Sequence, residues 1–573
     1  MDIVDRNRAT PIPPDFAGQD FYTQDRPLQD LLAIYLPTET RESLTPHYAR
    51  LGQLAGGRLD ALARTADRHP PVLHSRDRYG NDEDWIEYHP AYREMEQIAF
   101  GEFQFHAMTH RAGVLGQQAP LPHAAKYAFQ YLFTQAEFGL MCPVSVTDTS
   151  IHLIRTFASP DLQAYLLPRM LSADPATMWK GTQFMTERTG GSDVGAIETS
   201  AVRAGEDWRL TGSKWFNSHA DADVALILAR PEGAPGGTRG LALFALPRRR
   251  RDGSRNAYRI VRLKDKLGTK SMASGEIDLH GAEAYLVGAQ DAGLKQMMEQ
   301  VNRSRLSHGA RAAGMMRRCV NEALAAARGR RAFGSAVIDF PLMRRQLLKL
   351  IVPAEQALSM TFATADAMDR GAATELRILT GLLKLRACRD NVPVATGAME
   401  ARGGNGYIED YVTARLIRDA QVGVLWEGTS NINALDVIGR AVGKQGAHRA
   451  LGALLHRRLE EATALPAPFR ARLATTWDRA AAAAERIAGG NEALARTAAA
   501  GLYNAASAVL LAWEATRPGA DARRALLARC VLDHRLSPRD PLAPEEAAWE
   551  RPATDLLLAP RAQELGAVTP LLV

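Results

Sequence analysis

The residues best suited to chemistry lie in three short runs. The first is Gln183-Phe184-Met185-Thr186-Glu187-Arg188-Thr189-Gly190-Gly191-Ser192-Asp193-Val194. A Gly-Gly-Ser turn exposes successive backbone N–H groups, and Thr186 and Ser192 add hydroxyls, so such a loop can receive a pyrophosphate or a flavin's carbonyl edge. The competing reading is an ordinary surface turn. The second run, Lys214-Trp215-Phe216-Asn217-Ser218, sets two aromatics side by side on a strand. Successive strand side chains point to opposite faces, so either both serve the core region or one flanks a flat ring, with Ser218 offering it a hydroxyl. In the third, Val424-Leu425-Trp426-Glu427-Gly428-Thr429-Ser430-Asn431-Ile432, a glutamate stands between Trp and Gly in an otherwise apolar stretch. Partial burial raises a carboxyl pKa and makes the carboxylate a stronger base. Alternatively, Glu427 is a helix-entry charge stabilised by the first-turn dipole.

These runs need a scaffold, and the chain has room for several layers. Its 573 residues exceed one ordinary core, and 46% hydrophobic with 23% charged residues excludes wholesale disorder. The patterning predicts an α+β multidomain protein in four parts. Residues 1–180 read as mainly helical, with one helix over 124–140. Residues 181–288 read as a β-barrel-like domain, with strands at 224–228 and 241–246 around a Pro- and Gly-rich turn. Residues 289–440 read as a helix bundle broken near Gly329, Gly371 and Gly403-Gly404. Residues 441–573, rich in Ala and Arg, read as a separate helical extension.

Other chemistries lack their signatures. The four cysteines, Cys142, Cys319, Cys388 and Cys530, form no CxxC pair, which argues against a disulfide framework or a thiolate metal site; no metal is expected. HExxH, P-loop and nucleophile-elbow motifs are absent. The first six residues carry no apolar signal and no run approaches the ~20 apolar residues of a membrane span, so the expectation is a cytoplasmic protein with no membrane association. A net charge of +6 suits an anionic partner such as coenzyme A, a dinucleotide or nucleic acid. Arg248-Arg249-Arg250-Arg251 reads as a solvated hairpin tip or a phosphate contact. Arg523, Arg524, Arg529, Arg535 and Arg539 could bind double-stranded DNA by counterion release, or form an ordinary solvated face.

Together and in this order, the runs resemble the acyl-CoA dehydrogenase family. The 185–193 segment resembles its flavin loop, in which Met185 and Thr186 would meet the isoalloxazine edge and Gly191 and Ser192 the FAD pyrophosphate. Phe216 stands where the family has a tryptophan against the flavin, and Asn217 and Ser218 would complete that wall. Lys266-Leu267-Gly268-Thr269-Lys270-Ser271 resembles the family's K-L-G-x-x-S turn. Arg330-Arg331-Ala332-Phe333-Gly334 resembles its R-x-x-F-G, whose first arginine binds FAD of a neighbouring subunit, and Gly403-Gly404-Asn405-Gly406 its dinucleotide-supporting glycine turn. Trp426-Glu427-Gly428-Thr429, with Asn431, resembles the aromatic-E-G-T in which Glu is the catalytic base. The resemblance implies the family fold, N-terminal helical, middle β and C-terminal bundle domains, with an extra C-terminal helical domain. It also implies FAD as cofactor, an acyl-CoA thioester as substrate, dehydrogenation across a CH–CH bond and a homotetramer.

Leu140-Met141-Cys142-Pro143, the leading Pro11-Ile12-Pro13-Pro14 and the C-terminal extension are most similar to the AidB-like alkylation-response flavoproteins, a branch that implies DNA association as the alternative function. Two features depart from the family's patterns. Pro341 and Glu400 stand where catabolic members often carry other residues, glutamine in the case of Pro341. Gly439, with Arg440 beside it, fills the place where the branch has a basic residue after the base. Arg305 corresponds to an arginine near the base, with a solvated or adenine-side role as the alternative. Asp419 reads as a neighbour of Glu427 or a helix-end residue.

Overall fold

The computed structural model describes residues 12–542 and 544–573; Pro11 and the first six residues lie outside them. In chain order, helices α1 (Arg26–Tyr35), α2 (Thr38–Gly56) and α3 (Arg58–Arg68) precede a hairpin of β1 (Val72–Arg76) and β2 (Asp82–Glu87). Helices α4 (Pro90–Glu96), α5 (His123–Thr134), α6 (Met141–Phe157) and α7 (Pro160–Met170) lead to β3 (Gly181–Phe184), β4 (Ser200–Ala204), β5 (Asp207–Ser218), β6 (Val224–Pro231), β7 (Ala242–Pro247), β8 (Tyr258–Leu263) and β9 (Ser274–Leu286). Beyond α8 (Gly293–Gly329) comes a small hairpin, β10 (Arg331–Ala332) and β11 (Ser335–Ala336), then α9 (Pro341–Asp369), α10 (Ala373–Arg402), α11 (Val412–Val422) and α12 (Ser430–Leu435). The chain ends in α13 (Ala447–Glu461), α14 (Ala467–Ala488), α15 (Ala495–Glu514), α16 (Arg523–Val531), α17 (Glu550–Leu558) and α18 (Leu565–Val568).

Two compact units emerge. One, here the β unit, comprises Arg58–Pro122 and Ala136–Ser307; the other, the helical unit, comprises Met1–Gly57, His123–Gln135 and His308–Val573. In the β unit, β6, β4, β5, β9 and β7 pair into a closed ring, with β3 parallel to β6 and β8 antiparallel to β9. The two strands read from the sequence pair with each other, Val224 opposite Pro247 through Ala229 opposite Ala242. Both are buried almost throughout because each has a neighbour on both edges and a packed face. Leu226, Leu228, Leu243 and Ala245 pack with Ile151, Ile154, Leu162 and Leu166 from α6 and α7. Each such leucine contributes ~1.5–3 kcal/mol by leaving water.

In the helical unit, the predicted breakers act as helix ends. Gly371 and Gly403 take φ of 66° and 77°, positive values that glycine adopts at a helix end at no steric cost. On α14 the buried residues are Phe469, Leu473, Trp477 and Ala484, a single stripe at helical spacing. A Cβ on Gly452 of α13 would meet Trp477 Nε1 at 2.7 Å, so the missing side chain is what lets these two helices touch.

Three expectations change. The helix over 124–140 ends at Thr134, and α6 starts afresh at Met141. A Cβ on Gly139 would lie 2.7 Å from Ser271 Oγ and 2.8 Å from Glu137 Oε1, so the intervening turn is fixed by close packing that propensity does not reveal. The first 180 residues include a β hairpin and contribute to both units. Residues 441–573 do not stand apart: they belong to the helical unit. Arg524 of α16 bonds Glu514 of α15 at 2.6 Å, Glu355 of α9 at 3.2 Å and Ser359 Oγ at 2.6 Å, while Asp521 N donates to Asp30 of α1 at 2.9 Å. This buried ionic set joins the extension to the bundle and to the N-terminal helix.

Candidate active site

In the β unit, the loop after β3 is shaped from within. Glu187 N donates to Gly190 O at 3.0 Å, and Gly190 N donates back at 3.3 Å. The Glu187 carboxylate turns inward and accepts from Lys214 Nζ at 2.6 Å, Glu198 N at 2.6 Å and Thr199 Oγ1. Burial pushes the Glu187 carboxyl up, but Lys214 and these donors overcome it and hold the group below its usual range. Burial also pushes the Lys214 ammonium down, with Glu187 opposing. Lys214 makes a second bond, to Leu228 O at 2.9 Å. The pair thus ties loop, β5 and β6 together. Thr186 O meanwhile accepts from Trp215 N at 2.8 Å.

With its interior so held, the loop leaves Gly191 and Ser192 exposed and Met185 and Thr186 half-buried. A Cβ on Gly191 would meet only Thr186 Cγ2, at 3.8 Å, so these expected flavin-loop residues are neighbours over open space. The donor set suits a pyrophosphate or a heterocycle edge, as the sequence leads one to expect.

The aromatic pair resolves through a bulge. Lys214 pairs with Ile277 and Asn217 with Gly275, so β5 carries one extra residue between them. A bulge breaks alternation and re-aims side chains. Trp215 is bracketed by cations, Lys264 Nζ 3.3 Å and the Arg188 guanidinium 4.8 Å from its ring centre. Phe216 is 59% exposed and is the ring available to a ligand. Asn217 is buried and its amide donates to Gly275 O at 3.0 Å, so its nitrogen serves strand pairing. Ser218 O accepts from Thr182 Oγ1 at 2.6 Å. In the K-L-G-x-x-S turn, Lys266 donates to Met272 O at 2.7 Å and Ser271 to Glu137 at 2.7 Å.

In the helical unit, β10 and β11 form a tight hairpin. Its tip, Phe333 and Gly334, has φ of 50° and 82°, the paired positive values of a primed two-residue turn. Phe333 is 97% exposed. Arg330 Nη1 lies 3.1 Å from the Cβ that Gly403 lacks, so the expected dinucleotide arginine and glycine turn come together, and Gly404 faces open space. These residues fit a phosphate-bearing ligand: a cation beside glycines that leave the backbone approachable.

Glu427 lies in the turn between α11 and α12, half-buried, with φ of 55°, followed by Gly428 at 89°. A glutamate in the left-handed region is uncommon and costs backbone energy, a feature that clusters at functional sites. Trp426 meets His308 edge-on at 4.6 Å between ring centres, and His308 Nε2 is 2.8 Å from Arg311 Nη2. Thr429 caps α12 and, like Asn431, is exposed. Thus Trp426, Glu427, Gly428 and Thr429 form one turn. The helix-entry alternative for Glu427 places it two residues before the N-cap, Thr429, outside the helix.

Further residues differ from their sequence readings. Arg305 is buried and donates to Asn302 Oδ1 at 3.4 Å, which removes its solvated reading, whereas Asp419, buried in the last turn of α11, keeps its helix-end reading. Arg248 bonds Asp84 O at 2.6 Å, and Arg251 pairs with Asp161 at 2.8 Å over Tyr165; this run is structural rather than a free tip. The C-terminal arginines are similarly engaged: Arg523 with Asp521, Arg524 with Glu514, Arg529 with Asp533, Arg535 with Asp390 and Arg539 with Glu550. Glu187, missed as a functional residue, could have been suspected from a carboxylate inside a donor-rich loop with a lysine on the following strand. A separate cavity of about 720 Å³ in the helical unit is lined by Arg345, Lys349, His534 and Trp549 among others, with Arg535 and Arg539 of the C-terminal arginines and none of the expected FAD-binding or catalytic residues. Among the described residues no helix is long and apolar enough to cross a membrane, and no cluster of His, Cys, Asp or Glu could hold a metal ion.

Comparison with known proteins agrees with this geometry. Residues 12–174 match the adaptive response protein AidB N-terminal domain, 182–282 the acyl-CoA dehydrogenase middle domain and 291–443 the acyl-CoA dehydrogenase C-terminal domain. Acyl-CoA dehydrogenase family member 11 of Caenorhabditis elegans is 32% identical over 75% of this chain and 72% of its own. The AidB protein of Escherichia coli (strain K12) is 33% identical over 67% of this chain and 71% of its own. The crystal structure of Caenorhabditis elegans ACDH-11 in complex with C11-CoA superposes with a TM-score of 0.85 at 27% identity, covering 93% of this chain and 94% of that one. The chain therefore belongs to the acyl-CoA dehydrogenase family, with an AidB-type N-terminal domain.

Proposed function

We propose that the protein is an FAD-dependent dehydrogenase of saturated acyl-CoA thioesters, with Glu427 as the base that removes the α proton. The observation that carries this reading is the conformation of Glu427: a half-buried carboxylate held at positive φ in a turn between two helices. Strain of that kind persists only where surrounding structure enforces it.

FAD, when bound, supplies a two-electron acceptor for the β hydride, so that loss of the α proton and the hydride leaves an α,β double bond. The protein's own part is to hold the cofactor and to take the proton. Thr186, Gly191 and Ser192 offer donors, Met185 an apolar contact and Phe216 an exposed ring. Arg330, Gly403 and Gly404 make a second phosphate-binding group, which in the family acts on a neighbouring subunit's FAD. The exposed Phe333 beside it favours assembly with further copies of the chain. Glu427 accepts the α proton at its carboxylate, and Trp426 beside it in sequence packs against His308 and under the Arg311 guanidinium. The relative seen with C11-CoA supports an acyl-CoA thioester as the substrate class.

The test is anaerobic mixing of FAD-loaded protein with a panel from butyryl-CoA to lauroyl-CoA. Bleaching of the flavin by at least one thioester is expected; no bleaching by any of them would overturn the reading.

A further inference from the structure

Consecutive positive φ at Glu427 and Gly428 requires something to hold it, and the holders can be traced. On α10, Gly381, Lys384 and Cys388 recur three and four residues apart and so share one face. A Cβ on Gly381 would meet Val437 Cγ2 at 2.6 Å. Lys384 Nζ donates to Gly428 O at 2.7 Å. At the other end, a Cβ on Gly423 would meet Cys388 Cβ at 3.3 Å. The segment 423–437 is therefore laid along this face of α10 in the opposite direction, and the glycines mark where backbone must approach most closely.

Lys384 is 1% exposed. Burying an ammonium is costly unless it is well bonded, and an apolar residue would fill a mid-helix position at less cost. Its bond to a backbone carbonyl in the Glu427 turn gives the charge a purpose. The second holder is Asn433, fully buried in α12. Its side chain folds back over the start of its own helix, with Nδ2 2.6 Å from Gly428 O, 3.0 Å from Thr429 O and 3.5 Å from Glu427 O. Gly428 O thus receives two side-chain donors, one of them cationic. Arg389, five residues beyond Lys384 on α10, adds a bond to Ser430 Oγ at 3.3 Å.

We propose that Lys384 and Asn433 are positioning residues for Glu427: by capturing the Gly428 carbonyl, and in the case of Asn433 also reaching the Glu427 carbonyl, they hold the Glu427 and Gly428 backbone at positive φ and so aim the carboxylate. This rests on the reading of Glu427 as the base. Without the two donors the turn relaxes to negative φ at Glu427, and the carboxylate leaves its line of approach to the proton. Displacement of a reacting group by about 1 Å can cost on the order of 100-fold in rate.

The experiment compares wild type with N433A, K384M, K384R and E427Q, each purified with FAD. Two readouts are taken: exchange of the α protons of undecanoyl-CoA with deuterium from solvent, on protein prereduced with dithionite so that no hydride moves, and the φ of Glu427 in a crystal structure of N433A or K384M. Expected are FAD content and thioester Kd within about twofold of wild type, exchange slowed roughly 10- to 100-fold in N433A and K384M, partial recovery in K384R, and negative φ at Glu427. Should N433A not fold, K384M and K384R carry the test. Exchange within about twofold of wild type in N433A and K384M, with Glu427 still at positive φ, overturns the proposal. If E427Q itself exchanges at the wild-type rate, the base reading has failed instead; the φ of Glu427 in the variants then decides the positioning claim alone, negative φ sustaining it and positive φ overturning it.

Discussion

The β unit and the helical unit each carry a turn of candidate site residues, and they secure it by different means. In the β unit, the loop over 185–194 is fixed through side-chain charge: the buried Glu187–Lys214 pair at 2.6 Å knots loop to strands, leaving the Thr186, Gly191 and Ser192 side available. In the helical unit, the Glu427 turn is fixed through its backbone, with donors gathered on carbonyls at positive φ. The difference follows from what each turn must offer. A loop that cradles a ligand with N–H and O–H groups can spend its carboxylate internally. The turn that carries the proposed base is held through its carbonyls instead.

The comparison can be broken most severely at Lys214. In K214A, Glu187 becomes a buried carboxylate without its cation, and stability falls by ~3–5 kcal/mol, read by chemical denaturation; FAD affinity falls with it. K214M/E187L, which removes both charges, recovers much of the stability but not the FAD affinity. Equal FAD affinity in K214M/E187L and wild type would show that the pair does not shape the loop.

A second prediction concerns pH. In the β unit, burial pushes the His219 imidazole down to about 4, with His106 likewise at about 4. A depressed histidine pKa means the folded state refuses protons that the unfolded chain accepts. The stability is therefore complete above the unfolded value of 6.5 and lost as pH falls toward 4. Each histidine contributes up to about 3 kcal/mol to that loss. H219Q should flatten the slope between pH 6.5 and 4, and an unchanged slope would remove His219 from the account. In the helical unit, burial instead raises the carboxyls of Asp25, Asp30 and Glu514. For these the sign is reversed: their folded forms hold protons more tightly, so the stability they contribute is present at low pH and fades as pH rises through the folded values.

The smallest effect expected is at Gly428. A side chain at φ of 89° is strained, and G428A should cost about 1–2 kcal/mol while slowing turnover more than it weakens thioester binding. An unaffected kcat with a raised KM would mean the turn's conformation matters for binding rather than for the base.

Much of this arrangement was legible in the residues. The strands over 224–228 and 241–246 announced themselves by continuous apolar runs around a Pro- and Gly-rich turn, and the breakers at Gly371 and Gly403 by residue type alone. Of the three chemical runs, the first centres on a loop and the third on a turn, while the aromatic pair lies on strand β5, as the sequence led one to expect. Other features depend on long-range packing. The turn that follows Thr134 packs closely, with Gly139 against Ser271, more than a hundred residues away in sequence. The extension looked separable because its Ala-rich helices carry their own stripes, yet Arg524 commits it to Glu355 on α9 and to Glu514. The bulge that turns Phe216 outward is invisible in a Trp-Phe dipeptide. Positive φ at Glu427 could not be read because glutamate ordinarily favours the right-handed region, and the donors on the Gly428 carbonyl come from Lys384, distant in sequence, and Asn433, folded back from a helix.

The central claim, that Glu427 is the base, is tested most directly by E427Q loaded with FAD to the wild-type level and mixed anaerobically with the thioester that bleaches wild type fastest. Glutamine keeps the size and loses the proton acceptor. The account predicts bleaching slowed by a factor of about 100 to 10,000 with FAD spectrum and thioester Kd retained; bleaching at the wild-type rate would contradict it.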